Sequence, residues 1–104
     1  MQTFQHQDSS IHISGHARTR MAQRAVPVNV VEALLVSGKF DYDHRGGVRI
    51  HVHHKTAKRR FADALGAAAA SKYQNLYAVL VGDSETSSST LVTVGRIYAG
   101  ARFR

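Results

Sequence analysis

The first helical pattern in the chain follows a polar start. Ser14 is a favoured N-cap residue, and apolar Ala17 and Met21 follow it four residues apart, on one side of a helix. Pro27 has no backbone donor and restricts the residue before it, so it interrupts this pattern. The sequence therefore predicts a first helix over residues 15–25 with a narrow apolar side.

A second, stronger helical pattern begins at Pro27, which suits the first turn of a helix. Gly38 stands where a left-handed C-terminal cap is typical. Between these two residues, apolar side chains recur at helical spacing: Val30, Val31, Leu34 and Leu35. Two consecutive short helices predict a helical hairpin at the start of the fold.

Alternating polar and apolar residues then predict a β-hairpin over residues 40–44 and 48–54, with its turn at Gly46-Gly47. A three-residue loop pairs His44 with Val48 and puts the aromatic residues of the first strand on the apolar face of the second. We expect this pairing because register follows the buried face. The acidic residues of the first strand then face polar residues of the second: Asp43 opposite Arg49 and Asp41 opposite His51.

The second half of the chain predicts one further helix and two strands. Thr56 suits an N-cap, and apolar residues at helical spacing support a helix over residues 57–71. The apolar run over residues 76–81 indicates a central strand covered on both faces, and residues 90–98 pair with it antiparallel. These elements predict an α+β fold: two N-terminal helices packed on an antiparallel sheet of about four strands, with one inserted helix.

Composition places the chain among ordinary globular proteins. It has 104 residues, 43% of them hydrophobic and 20% charged, which suits a single domain over residues 1–104. Residues 1–10 are polar, so we expect a flexible tail there, followed by a short edge strand at residues 11–13. There is no apolar run of membrane-spanning length, no secretory signal and no cysteine. These features predict a cytoplasmic protein without membrane association, disulfides or thiolate metal sites.

The charge of the chain is strongly positive. Lys and Arg number 14 against 7 Asp and Glu, which gives a formal net charge of +7. Residues 55–104 contribute most of this excess, whereas residues 1–54 hold all 7 histidines. Such a balance predicts a polyanionic partner, either RNA or an acidic protein.

A motif in the first predicted helix resembles a known family. His16 is followed by an Arg-Met pair at Arg20 and Met21 and by a further arginine at Arg24, ahead of the helix that starts at Pro27. The stretch Leu91-Val92-Thr93-Val94-Gly95 is similar to the Thr-Val-Gly ending of that family's closing hairpin. On these residues the chain resembles the family called domain of unknown function 4258.

This resemblance implies the fold of bacterial RelE-like toxins and of related metal-independent ribonucleases. A toxin of that kind would be covered by an acidic antitoxin-like protein, and no cofactor is implied. The chain departs from the similar branch of the family at one position. A histidine often follows Thr-Val-Gly there, whereas Arg96 stands at that place here, so the catalytic role of that histidine is not carried over.

The helical motif also carries chemistry of its own. His16, Arg20 and Arg24 lie four residues apart and share about 80° of helix surface. Guanidinium groups bind phosphate through paired donors and an imidazole transfers protons, and metal-independent RNA cleavage needs both kinds of group. The structural alternative is that the two arginines pin the helix to the sheet by pairing with a carboxylate: Asp41, Asp43 or Glu32.

Three further residues complete the candidate catalytic set: Arg96 beside the phosphate, and His51 or Tyr98 as the proton-transfer partner. His51 also shares a strand face with His53, which suits a divalent metal if a neighbouring side chain adds a ligand. Two ligands on one strand do not make a closed site, so no metal is predicted. A polar nucleic-acid groove and a solvent-facing strand are the other interpretations of this pair.

Four cations crowd the start of the third predicted helix, where the helix dipole disfavours positive charge: Lys55, Lys58, Arg59 and Arg60. We predict that they contact phosphates, and a solvated charged face is the alternative. The sequence thus predicts a small basic RelE-like protein that binds RNA, and a metal-independent ribonuclease toxin is its most specific form. The alternative is a non-enzymatic protein-interaction module on the same fold.

Overall fold

Six β-strands form one sheet in the computed structural model, which describes residues 2–6, 9–42, 46–83 and 88–97. The strands are β1 (Gln2–His6), β2 (Ser9–Ile13), β3 (Lys39–Tyr42), β4 (Gly47–His51), β5 (Leu76–Asp83) and β6 (Ser88–Arg96). Their order is β1-β2-β6-β5-β4-β3, and neighbours are antiparallel except for β2 and β6, which run parallel. The α+β class is confirmed, but the expected antiparallel sheet of about four strands is a mixed sheet with six strands in the described residues.

The two additional strands come from the start of the chain. Residues 2–6 and 9–10 lie in β1 and β2, where the sequence suggested a flexible tail. β2 pairs with β1 on one side and with β6 on the other, so it is not the edge strand that was expected. Ile11 and Ile13 are buried on one face of β2, and burial of these alternate residues anchors the polar start of the chain in the sheet.

Four helices lie in the described residues: α1 (Gly15–Gln23), α2 (Val28–Ser37), α3 (Lys55–Leu65) and α4 (Ala67–Tyr73). α1 and α2 agree with the predicted N-terminal pair. The single helix predicted over residues 57–71 is instead two helices, α3 and α4. Gly66 separates them with a φ of 89°, a left-handed conformation that glycine adopts without the steric cost of a Cβ atom.

The helices pack on one face of the sheet. The hydrophobic core joins the apolar sides of all four helices to alternate residues of the strands. In β5, Leu76, Ala78 and Leu80 are buried in this core, whereas Tyr77 and Val79 point to the opposite face and are half-buried. β5 is a central strand, as expected, but it is covered by helices on one face only, and its outer residues are half-buried.

Gly38 follows α2 for a reason other than the expected left-handed cap. Its φ of −73° and ψ of 160° are an extended conformation that any residue adopts. A Cβ atom at this position would lie 2.6 Å from the carbonyl oxygen of Leu34 and would also collide with the side chain of Ile50. Glycine is required here because the chain leaves α2 and enters β3 in close contact with the helix backbone.

The β3–β4 hairpin has the expected faces but a different register. Tyr42 lies opposite Val48, the position predicted for His44. The pairing is therefore displaced by two residues, and since side chains alternate with a period of two, each residue keeps the face predicted for it. His44 and Asp43 lie outside the described residues.

Candidate nucleic-acid interface

α1 lies along β6, and both of its ends are fixed by hydrogen bonds. At its start, the N–H of Ser14 donates to the carbonyl of Leu91 (3.1 Å), and the Ser14 hydroxyl oxygen accepts from the N–H of Ala17 (3.0 Å). At its end, the Tyr73 hydroxyl donates to the carbonyl of Ala25 (3.2 Å). These anchors bury one side of α1 and leave its other side facing solvent.

His16 and Arg20 are brought together on that outer side, with Arg24 one turn further on. Arg20 Nε lies 3.5 Å from His16 Nε2, and Arg20 Nη1 lies 3.3 Å from Gln23 Oε1. His16 is exposed, and both arginines are half-buried. Neither arginine forms an ion pair with a carboxylate within the described residues, so the structural alternative of a helix pinned to a sheet carboxylate is not observed there.

The contact between His16 and Arg20 defines which atom donates. In this contact the guanidinium Nε–H donates and His16 Nε2 accepts. An imidazole nitrogen beside a guanidinium places a group that can accept a proton next to a group that can bind a phosphate.

Arg96 ends β6 on the helical side of the sheet. Its ladder partner is Leu76, whose side chain is buried in the core, and directly opposed residues share a face. Leu76 closely follows Tyr73, the residue bonded to the end of α1. No described contact joins Arg96 to the side chains of His16, Arg20 or Arg24.

His51 lies on the opposite face of the sheet and does not join the α1 residues. It is 5% exposed, its Nε2 lies 2.6 Å from Asp41 Oδ2, and its Nδ1 accepts from the backbone N–H of His53 (3.2 Å). The rings of His51 and His53 meet edge to face with centroids 6.0 Å apart. Because both ring nitrogens are engaged and the ring is buried, His51 ties β3 to β4 and is not placed to transfer a proton to RNA.

Tyr98 and the possible metal site on His51 and His53 are the parts of the sequence hypotheses that remain. Tyr98, the other candidate for proton transfer, lies outside the described residues. Within the described ranges, no three His, Asp or Glu side chains are grouped so that they hold a metal ion. A metal site on His51 and His53 therefore has no third ligand there.

The start of α3 carries four exposed cations, as the sequence indicated: Lys55, Lys58, Arg59 and Arg60. The first turn contains no acidic residue, and no side chain caps it. None of the four side chains forms a hydrogen bond or ion pair within the part of the chain that the structure describes. Their charge is therefore available to an external anion.

Sequence reasoning missed two residues near this helix. Ser37 and Lys39 line a cavity together with His54 and Arg60, although α2 and α3 are separated along the chain by the β3–β4 hairpin. No spacing rule links a helix end to the start of a later helix. The one available signal is Gly38, which the sequence marks as the end of α2 and which lines the same cavity.

Comparison with known families gives one match. Residues 13–96 match the model of the family described as domain of unknown function DUF4258. No curated protein and no solved structure matches the chain. Every helix in the described ranges is too short or too polar to span a lipid bilayer.

Proposed function

The chain belongs to the domain of unknown function DUF4258 family, and we propose that it binds RNA through the cations of α1 and α3. One observation carries this proposal. The lysines and arginines of these two helices form no ion pair with a carboxylate in the described residues. Clustered cations without internal partners repel each other, and a polyanion relieves that repulsion.

The kind of cation favours phosphate as the ligand group. α1 carries Arg18 and Arg20 and no acidic residue, and Arg24 is its C-cap residue. Asp63 is the single acidic residue of α3. The planar guanidinium donates two parallel hydrogen bonds that match phosphate oxygens. A chain of phosphates engages several such groups at once, which a single small anion cannot do.

A direct binding measurement tests this function. We expect the wild-type protein to bind a short single-stranded RNA, and the double variant Lys58→Ala/Arg59→Ala to bind it more weakly and with a salt dependence flatter by about 1.5 to 2 units. Lys72→Ala is the matched control, because Lys72 lies over the ring of its neighbour Tyr73 at 5.3 Å on α4. Equal losses in the double variant and in the control would count against α3 as an RNA contact.

A second candidate function is metal-independent RNA cleavage, and the 3.5 Å contact between Arg20 and His16 favours it. In this reaction the Arg20 guanidinium turns from His16 Nε2 to the phosphate. The freed Nε2 takes the proton of a ribose 2′-hydroxyl, the 2′-oxygen bonds to phosphorus, and the bond from phosphorus to the 5′-oxygen breaks. Arg20 and Arg24 stabilise the charge that grows on the phosphoryl oxygens. The leaving 5′-oxygen takes its proton from solvent water, and the product is a 2′,3′-cyclic phosphate.

Cleavage and binding respond differently to Arg20→Ala if this candidate is right. We expect the rate to fall by roughly 10²–10³ with a much smaller loss of RNA affinity, because the growing charge is stabilised mainly in the transition state. EDTA should leave the rate unchanged. Cleavage that disappears with EDTA would contradict the metal-independent route.

The alternative is a non-enzymatic interaction module whose acidic partner covers the same cations. The engagement of both His51 nitrogens favours it, because one candidate for proton transfer is removed from solution. Expression in bacteria distinguishes a ribonuclease toxin from an interaction module. A toxin stops growth and His16→Ala relieves the arrest, whereas an interaction module leaves growth unchanged in both forms.

A further inference from the structure

A cavity of about 330 Å³ lies where the end of α2, the start of β3 and the first turns of α3 meet. It is separate from the outer side of α1, which carries His16 and Arg20. Its volume falls at the lower end of the range for small-molecule sites, enough for a phosphate group with part of what it is attached to. Seven residues line it, and five of them have a polar or charged side chain: Ser37, Gly38, Lys39, His54, Thr56, Ala57 and Arg60.

The charged side chains that line this cavity are cationic. Lys39 and Arg60 line it together with the imidazole of His54, and no carboxylate does. None of these three side chains forms a hydrogen bond or ion pair within the described residues. Lys39 begins β3, whereas His54 and Arg60 belong to the start of α3, so the fold brings Lys39 to the same space as the other two.

The N-terminus of α3 adds backbone donors to the same cavity. α3 has 11 residues, its N-cap is His54, and no side chain caps it. The first backbone N–H donating within the helix to the carbonyl of His54 is that of Lys58 (2.8 Å). The preceding N–H groups of the first turn have no intrahelical acceptor and lie at the positive end of the helix dipole. Thr56 and Ala57, which carry two of these groups, line the cavity.

Ser37 adds a buried hydroxyl group to this cavity. This residue is only 3% exposed, lines the cavity, and its hydroxyl has no hydrogen-bond partner among the described residues. Every fully enclosed side-chain polar atom in that part of the chain has a partner, so the Ser37 hydroxyl keeps some accessible surface, and Ser37 lines this cavity. A buried hydroxyl without a partner is costly unless a ligand or water completes its hydrogen bonding.

We propose that this cavity is a phosphate-binding site. The α3 amides, the hydroxyls of Ser37 and Thr56 and the cationic rim donate to the phosphate oxygens. A metal ion is disfavoured because every charged group at the cavity is positive, and an apolar ligand would leave the Ser37 hydroxyl without a partner. The phosphate comes either from RNA or from a small phosphate ester. Only the first of these sources rests on the RNA binding proposed above.

The site is tested by titrating the full chain with inorganic phosphate while the backbone amide NMR signals of Thr56 and Ala57 are followed. We expect saturable shifts in the wild type, and an affinity lower by roughly tenfold in Arg60→Gln, the effect of losing one charge-assisted hydrogen bond. Arg59→Gln is the matched control. It removes the same charge from the neighbouring position of α3, outside the cavity lining, and should weaken binding by less than about twofold.

Ser37→Ala tests the buried hydroxyl separately, and we expect it to weaken phosphate binding by roughly fivefold or more. Arg60→Gln keeps the proposal testable if Ser37→Ala fails to fold, since Arg60 is exposed. Unshifted amides, or equal losses in Arg59→Gln and Arg60→Gln, would overturn the phosphate site even if the protein binds RNA.

Two further ligands identify the source of the phosphate. An RNA with a 5′-phosphate and the same RNA with a 5′-hydroxyl are compared, together with adenosine monophosphate. If RNA is the source, RNA shifts the Thr56 and Ala57 amides and Arg60→Gln reduces those shifts. If adenosine monophosphate binds the cavity and neither RNA binds the protein, the phosphate site stands and the proposed RNA function fails.

Discussion

Asp41 and His51 show how a residue expected in a functional site becomes a structural one. The His51 ring is buried, donates through Nε2 to Asp41 Oδ2 (2.6 Å) and accepts through Nδ1. Sequence alternation placed both residues on one strand face correctly. The backbone contact to Nδ1 depends on how the chain leaves β4 at Val52 and His53, which alternation does not report.

Two substitutions of Asp41 distinguish the effect of losing its hydrogen bond to His51 from the effect of losing its charge. Asp41→Ala leaves the buried Nε2–H of His51 without its acceptor, and we expect the free energy of unfolding to fall by about 1–3 kcal/mol. Asp41→Asn keeps an acceptor oxygen and should lose clearly less. Chemical denaturation measures both, and since the two variants remove the same charge, equal losses would contradict the assigned hydrogen bond.

Gly38 carries a second prediction for a single residue. Gly38→Ala introduces a Cβ atom 2.6 Å from the Leu34 carbonyl oxygen, which belongs to the backbone and cannot rotate away. We expect a loss of about 1–3 kcal/mol in the free energy of unfolding. Gly15→Ala is the control, because a Cβ atom there meets nothing within 4 Å. Equal stability in the two variants, read from thermal or chemical unfolding, would show that the α2–β3 junction is looser than described.

Among the secondary-structure elements, α1 is the one whose sequence and surface point most directly to function. Arg20 has two side-chain partners there, His16 and Gln23, both on its own helix. Because no contact to another element is lost, we expect Arg20→Ala to change the free energy of unfolding by no more than about 0.5 kcal/mol while it weakens RNA binding. Gln23→Ala removes an uncharged partner and should leave the affinity close to that of the wild type. A large stability loss in Arg20→Ala with unchanged RNA affinity would make Arg20 a structural residue.

A helix was predictable from the sequence where an apolar stripe begins and ends at residues that are typical of helix boundaries. α2 has a continuous apolar stripe between Pro27 and Gly38, and its predicted bounds agree closely with Val28–Ser37. The α3–α4 region has alanines on both sides of Gly66, and these favour helix whether or not the chain is broken there. The break depends on the left-handed backbone at Gly66, which a helical pattern alone does not require.

The strands show a different limit. Matching of apolar faces fixes the hairpin register only up to a shift of two residues, so it identified the faces of β3 and β4 but not the partner of Val48. β1 was missed because the start of the chain is polar. β1 pairs with β2, and no apolar pattern in residues 2–6 predicts this pairing.

For the molecule as a whole, the fold arranges positive charge on the helical layer. The outer side of α1, the start of α3 and Arg96 at the end of β6 all belong to that side, whereas the opposite sheet face carries the enclosed pair of Asp41 and His51. The sequence predicted the sign of the charge and most of its residues. It did not predict the cavity that joins Ser37 and Lys39 to α3, because that cavity depends on the path of the chain between two helices.

Binding of RNA phosphates by these cations makes the RNA affinity depend on salt concentration, and this dependence can be measured. The affinity of the wild-type protein for a short single-stranded RNA is measured between about 50 and 200 mM salt, the range over which phosphate contacts change affinity strongly. With about four to six phosphates contacted, the logarithm of the association constant should fall against the logarithm of salt concentration with a slope of about −3 to −4. No measurable RNA binding at about 50 mM salt, or an affinity that does not change with salt, would contradict the account.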